Sequence, residues 1–303
     1  MSFSQIKGIT PFFAPGTFAE SWTLVWNIQY RFNSRTGYDE LNRYQNHLEK
    51  SIGNLSLKEI TPLIIEQLKA SFLDRGMKAQ TVSHILGIVK HVYNYLIKWN
   101  LYHGPNPATA VKIPREDNRR HRYLSKAEAR LLLSELKNRS HKLWQMSVLS
   151  LSTGMRAGEI FSLKGEHVNL ATRTVRIVDP KNKKNRIVYL PDMALKMLSE
   201  CNLSYGKLVF PNVDGIRHTA VSKTFSRVVD YLGLNDGFSD PRDRVVFHSL
   251  RHTFASWLVQ KDQPLYLVGE LLGHSSLEMT SRYAHLNPQR KMIATEVLNG
   301  FLE

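Results

Sequence analysis

Three prolines, Pro105, Pro107 and Pro114, fall within the stretch Gly104–Pro114, and no continuous helix can cross them. They split a chain of 303 residues into two parts, each near the ~100–200 residues of one domain. Upstream of the break, residues 17 to about 103 read as almost entirely helical. Tyr38 to Lys50 is mostly polar, and Thr61 and Pro62 then supply a cap and a first-turn proline for a helix with Leu63, Ile64, Ile65 and Leu68. From about Lys78, Val82, Ile85, Leu86, Val89, Tyr93, Leu96 and Ile97 recur at helical spacing and define one buried stripe. The opposite face carries Thr81, Ser83, Gly87, Lys90 and Asn94, flanked by His84 and His91. It fits either a solvated side of a helical bundle or a helix lying on a nucleic acid, where Gly87 permits close approach.

Downstream, Arg115 to Arg122 (REDNRRHR) is basic and lacks apolar periodicity, as expected of an exposed connection. Its Arg119, Arg120 and Arg122 are candidates for phosphate contact. Ser125 and Glu128 form a capping box ahead of Leu131, Leu132, Leu133 and Leu136, and an apolar helix follows around Trp144–Leu151. Thr174–Val178 and Arg186–Leu190 are β-rich runs around Asp179–Asn185 (DPKNKKN), a hairpin with a long basic tip. Further helices are predicted at about 219–232, 248–260, 264–272 and 276–285. The expected architecture is mainly α with a small β-sheet: a helical domain, a basic strap and a larger mixed domain.

The chain has 41 Lys and Arg against 26 Asp and Glu, a formal charge of +15. Such a surface suits a polyanion, because cations that neutralise phosphates release counterions. With 42% apolar residues the chain buries proper cores and is not a disordered basic tail. The single cysteine, Cys201, excludes an intramolecular disulfide, a zinc ribbon and an iron–sulfur cluster, and reads as a small core residue. No apolar run approaches the ~20 residues of a membrane span. The start lacks a signal-peptide pattern. A cytoplasmic, nucleoid-associated protein with no membrane partner is expected.

Nucleotide-binding glycine loops and the serine-hydrolase elbow are missing. His248 and His252 have the spacing of a zinc pair, but Ser249 stands where a zincin needs Glu. No metal is expected. His248 and Arg251 lie three apart on one helix face. His274 follows in LLGHSS and Tyr283 in TSRYAHL, while Arg156 and Glu159 stand upstream in STGMRAGEI. Singly each signal is weak, and the ordered set is specific.

In these motifs, and in the basic hairpin and HSLRHTFASWL, the second half resembles the tyrosine recombinase (phage integrase) family. The first half resembles the family's helical core-binding domain more loosely. The resemblance implies a 1–16 tail, a core-binding domain at 17–112, a linker at 113–122, a catalytic domain of mixed α+β type at 123–286, and a tail at 287–303. It implies that Arg156, Lys181, His248, Arg251 and His274 hold a phosphate, that Glu159 supports Arg156, and that Tyr283 is the nucleophile. Lys183 and Lys184 compete with Lys181, which alignment of the second strand favours. His248 has the alternative of a helix cap and His274 of packing, while His252 and His285 read as structural.

These residue types suit the chemistry. Two arginine forks match the oxygens of an anionic phosphodiester. The histidines can donate hydrogen bonds or handle the proton of Tyr283, whose ordinary pKa near ~10 keeps it protonated at neutral pH. Covalent capture as a 3′-phosphotyrosine conserves bond energy, so no cofactor, ATP or Mg²⁺ is needed. The expected partner is double-stranded DNA with paired inverted sites, held by a homodimer on each site and a homotetramer in the synapse. Accessory DNA-bending or directionality factors fit the same scheme. Only some sixteen residues precede the helical domain, so an arm-binding module is expected to be missing. An integrase is favoured over a Xer-type resolvase. A type IB topoisomerase and a non-catalytic DNA-binding regulator are the rivals. In the tail, Met292, Ile293, Val297, Leu298 and Phe301 form an amphipathic set suited to docking on a neighbouring protomer.

Overall fold

The computed structural model describes residues 15–31, 34–113, 122–178, 185–287 and 295–296. The expectations for Arg119, Arg120, Lys181, Lys183, Lys184 and the apolar set of the tail lie outside them. The chain divides into two compact units, Met1–Asp117 and Asn118–Glu303. Among the described residues no helix is long and apolar enough to cross a membrane.

The first unit holds helices α1 (Phe18–Val25), α2 (Ser34–Arg43), α3 (Glu49–Ile52), α4 (Pro62–Asp74) and α5 (Ala79–Lys98). Thr17 and Glu20 cap α1 reciprocally, and the Thr61 hydroxyl accepts from the Ile64 amide at the start of α4. The long helical stretch is not uniform. Trp26–Tyr30 and Tyr44–Leu48 take the wider π-helical winding, where the aromatic rings of Trp22, Tyr30 and Tyr44 stack. The apolar stripe of α5 is buried as its spacing predicts from Val82 to Leu96, but Ile97, expected in the same stripe, is exposed in the last turn of the helix. Each aliphatic side chain of that stripe contributes up to ~1.5–3 kcal/mol, so α5 is the spine of the unit.

The proline break turns back onto α5. Asn106 donates from Nδ2 to the Lys90 carbonyl at 2.9 Å and to Asn94 Oδ1 at 2.8 Å. Ser83, Gly87 and Lys90 consequently line a groove with Ala108, Thr109, Val111 and Ile113. Thr81, His84 and His91 are exposed, and His91 Nδ1 meets the Tyr30 hydroxyl at 3.2 Å.

The second unit begins with α6 (Lys126–Arg139), α7 (His141–Thr153) and α8 (Ala157–Phe161). A three-stranded antiparallel sheet follows, β1 (Val168–Asn169), β2 (Thr174–Ile177) and β3 (Arg186–Tyr189), in the order β1-β2-β3. Next come α9 (Asp192–Ser199), α10 (Thr224–Tyr231), α11 (Phe247–Gln260), α12 (Leu265–Leu272) and α13 (Glu278–Ser281). α7 packs between α6 and α11, and its buried Ser147 and Thr153 return their hydroxyls to carbonyls four residues back. The start of the unit is pinned to α11, because the Leu124 amide donates to Thr253 Oγ1 and Trp257 Nε1 donates to the Leu124 carbonyl.

Three expected elements differ. A helix at 219–232 is realised only as α10, since the Ser222 hydroxyl accepts from the Thr224 amide and starts the helix late. β1 extends the hairpin by a strand two residues long, too short for a periodicity signal. The helix at 276–285 shrinks to α13 plus a 3₁₀ turn at Ala284–Leu286, with Tyr283 between them. Thr280 of α13 is fully buried and spends its hydroxyl on His274 at 2.8 Å, so a tertiary contact shapes this segment.

Candidate active site

Two glycine turns organise the site. α7 ends at Gly154, which adopts φ +69°, and α12 ends at Gly273, at φ +65°. A Cβ on Gly154 would lie 2.6 Å from Phe254 and 2.8 Å from Leu272, so both the left-handed backbone and the packing demand glycine. These turns present carbonyls to arginines. Arg251 donates from its two terminal nitrogens to the Gly154 carbonyl at 2.5 Å and the Leu272 carbonyl at 2.7 Å. Arg156 donates to the Gly273 carbonyl at 3.5 Å.

Arg251 is 3% exposed, and burial, followed by repulsion from Arg156, pushes its guanidinium down to about 9. It stays charged at neutral pH, and its destabilised charge is what an arriving anion relieves. Arg156 caps α8, where its backbone amide donates to Glu159 Oε2 at 2.7 Å and its side chain to Oε1 at 3.0 Å.

Glu159 has a second partner that the sequence reading missed. Arg186, the first residue of β3, donates to both carboxylate oxygens, at 2.6 and 3.0 Å. Burial acts to raise the Glu159 carboxyl, but the hydrogen bonds and charge of Arg186, with those of Arg156, outweigh it and hold the group below its usual range. Arg186 packs so tightly on the second glycine turn that a Cβ at Gly273 would meet its Cδ at 2.6 Å. A signal for Arg186 did exist. Strand alternation places it on the same face as the buried Val188, with Ile187 and Tyr189 turned outward. An inward arginine demands a carboxylate.

His274 follows Gly273 and contacts Thr280 Oγ1 through Nδ1. Burial first, then repulsion from Arg251, Arg156, Arg282 and Arg186, lowers its pKa to about 4, so it is neutral at pH 7. His248 is exposed near the start of α11. Tyr283 is 6% exposed, and burial raises its pKa while Arg282 and Arg251 oppose the shift. Its hydroxyl lies 2.6 Å from Nδ1 of His252, a residue the sequence reading treated as structural. Of the expected site residues, Arg156, Glu159, Arg251, His274, His248 and Tyr283 thus converge, joined by Arg186 and His252. His285 is exposed.

Arg122, expected to serve DNA from the strap, is committed within its own unit. It pairs with Glu128 of the capping box, donates to the Tyr123 carbonyl at 2.9 Å and covers the Phe238 ring.

Residues 122–290 match the model of the phage integrase family. Among relatives, a tyrosine recombinase of Thermosipho africanus is 25% identical over 263 residues, covering 86% of this chain and 90% of the relative. The integrase of Escherichia phage P2 is 25% identical over 262 residues, covering 83% of this chain and 72% of the relative. The fold is similar to the Tn1549 transposon integrase solved with circular intermediate DNA, with a TM-score of 0.72 at 16% identity, covering 89% of this chain and 95% of that one. The chain belongs to the phage integrase family. Its activity is that of a site-specific DNA recombinase, an enzyme of the tyrosine class.

Proposed function

We propose that the chain cleaves and rejoins duplex DNA through Tyr283, with the strand held as a 3′-phosphotyrosine. The observation that carries this reading is the arginine-rich pocket beside a buried tyrosine. Arg156 and Arg186 both pair with the Glu159 carboxylate, the buried Arg251 adds a third guanidinium, and His274 is neutral. The excess positive charge suits a phosphodiester, and it suits the transition state better because negative charge accumulates there. Arg156 and Arg251 grip the non-bridging oxygens, His248 and His274 donate hydrogen bonds, and Glu159 holds Arg156 in place. Lys181, in the basic tip between β2 and β3, protonates the leaving 5′ oxygen. The pocket's cations do the work a metal ion does elsewhere, so cleavage proceeds in EDTA.

Double-stranded DNA with paired inverted sites is the proposed substrate. Exchange between two duplexes requires four strand cleavages with one tyrosine each, which four protomers supply, two on each duplex. Exposed Thr81, His84, Lys90 and His91 on α5, with Ser83 and Gly87 in its groove, are the proposed contacts of the first unit, and Arg119 and Arg120 those of the strap. The tail after Asn287 is proposed to dock on the neighbouring protomer and couple Tyr283 to assembly. An integrase role is favoured over chromosome-dimer resolution by the residues that flank Tyr283.

A nicked suicide substrate tests the reading. The wild-type chain traps a covalent 3′-linked complex in EDTA and Tyr283→Phe does not. A complex formed by Tyr283→Phe, or lost on chelation, refutes the assignment.

A further inference from the structure

We propose that His252 is a catalytic residue: it takes the phenolic proton of Tyr283 as cleavage begins and returns it as the strand is rejoined. The inference rests on Tyr283 being the nucleophile. The Tyr283 hydroxyl and His252 Nδ1 are 2.6 Å apart, within the reach of a general base for the proton it removes. Both residues are only 6% exposed, so water does not compete for that proton. The other histidines of the site are placed differently. His274 spends Nδ1 on Thr280, and His248 lies one turn earlier on α11, exposed, with its ring edge-on to His252 at 4.8 Å.

The scaffold supports the assignment. Arg251 and His252 are consecutive residues of the fourteen-residue α11. One helix therefore carries the group that grips the phosphate and the group that grips the nucleophile. Tyr283 stands between the four-residue α13 and a three-residue 3₁₀ turn, with Ala255, Val259, Val268 and Leu272 packed around it. In the step, the Oη–H bond breaks and an Nδ1–H bond forms. Oη bonds to phosphorus as the bond from phosphorus to the 5′ oxygen breaks, and that oxygen leaves with the proton supplied at the leaving group. Rejoining runs the same transfers in reverse.

The test uses the full chain on the nicked suicide substrate. His252→Asn sets an amide near the position of Nδ1, so a hydrogen bond to Tyr283 survives without a base. DNA affinity is expected to be unchanged and the cleavage rate to fall ~10²-fold or more. Installing a fluorotyrosine at position 283, whose phenol is more acidic, should recover much of the loss in His252→Asn, raising its rate by a larger factor than that of the chain with His252 in place. Cleavage by His252→Asn at the wild-type rate or faster would overturn the proposal, the latter by making His252 a restraint. A defect that the acidic phenol does not relieve would make the role merely structural. Should His252→Asn fail to bind DNA, His252→Ala assayed with added imidazole decides: restored cleavage supports the base, and none refutes it. A covalent complex from Tyr283→Phe in otherwise unaltered chain would instead sink the nucleophile assignment, independently of His252.

Discussion

Replacing Arg186 by Met isolates the part of the pocket that is hardest to see from sequence. Arg186 and Glu159 have side chains only 14% and 15% exposed, so the substitution leaves a buried carboxylate short of a bidentate partner. Breaking a buried pair in this way costs ~3–5 kcal/mol. Here Glu159 retains the Arg156 amide at 2.7 Å and the Arg156 side chain at 3.0 Å. The expected loss is therefore about 2–3 kcal/mol, which at ~2–4 °C per kcal/mol lowers Tm by roughly 4–12 °C. Arg156 is then drawn harder onto Glu159 and away from the phosphate, so cleavage slows ~10-fold or more. Thermal unfolding and suicide-substrate cleavage read the two effects. Adding Glu159→Gln removes the stranded charge, and the double variant should be more stable than Arg186→Met alone. The pH dependence has a definite sign. The Glu159 carboxyl is held below its ordinary 4.5, so its stabilisation is complete above that pH and disappears as pH falls through the lower folded value. In Arg186→Met the acid loss should begin at a higher pH. An unchanged Tm, or a double variant as unstable as the sum of its parts, would refute the reasoning.

Gly154→Ala forces a Cβ to within 2.6 Å of Phe254 at φ +69° and disturbs the carbonyl that holds Arg251, so stability should fall by about 2–4 kcal/mol in denaturant titration, with cleavage lost in step. His274, pushed down to about 4, should show no NMR titration near 6.5; its depressed pKa makes stability fall as pH drops from 6.5 towards 4, and His274→Asn should flatten that decline. Gly87 has nothing within 4 Å of a built Cβ, so Gly87→Ala should stabilise the first unit by ~0.5–1 kcal/mol while weakening DNA binding if this face meets the duplex. Arg119→Ala and Arg120→Ala should each lower the salt slope of DNA binding by about one, whereas Arg122→Ala should lower Tm because it breaks the contact to Glu128.

Local signals in the chain were enough for most of the scaffold. The stripe from Val82 to Leu96, the cap at Thr61, the capping box at Ser125 and the proline break are decided within a turn or two of backbone, and the structure realises them where they stand. The ordered arginines, histidines and tyrosine of the second half are likewise a linear pattern, which named the family before any geometry was known. Partnership between distant residues is a different kind of information. Arg186 was passed over inside an apolar strand because its carboxylate lies 27 residues away on α8. Arg122 looked like a phosphate contact because Glu128 and Phe238 meet it only after folding. His252 looked structural because the tyrosine it touches is 31 residues further on. The sequence determined which elements form and which side chains chemistry requires. The tertiary structure alone decided which charge neutralises which and where the nucleophile's proton points, since burial and a few tenths of an ångström set those energies and neither is written in a linear pattern.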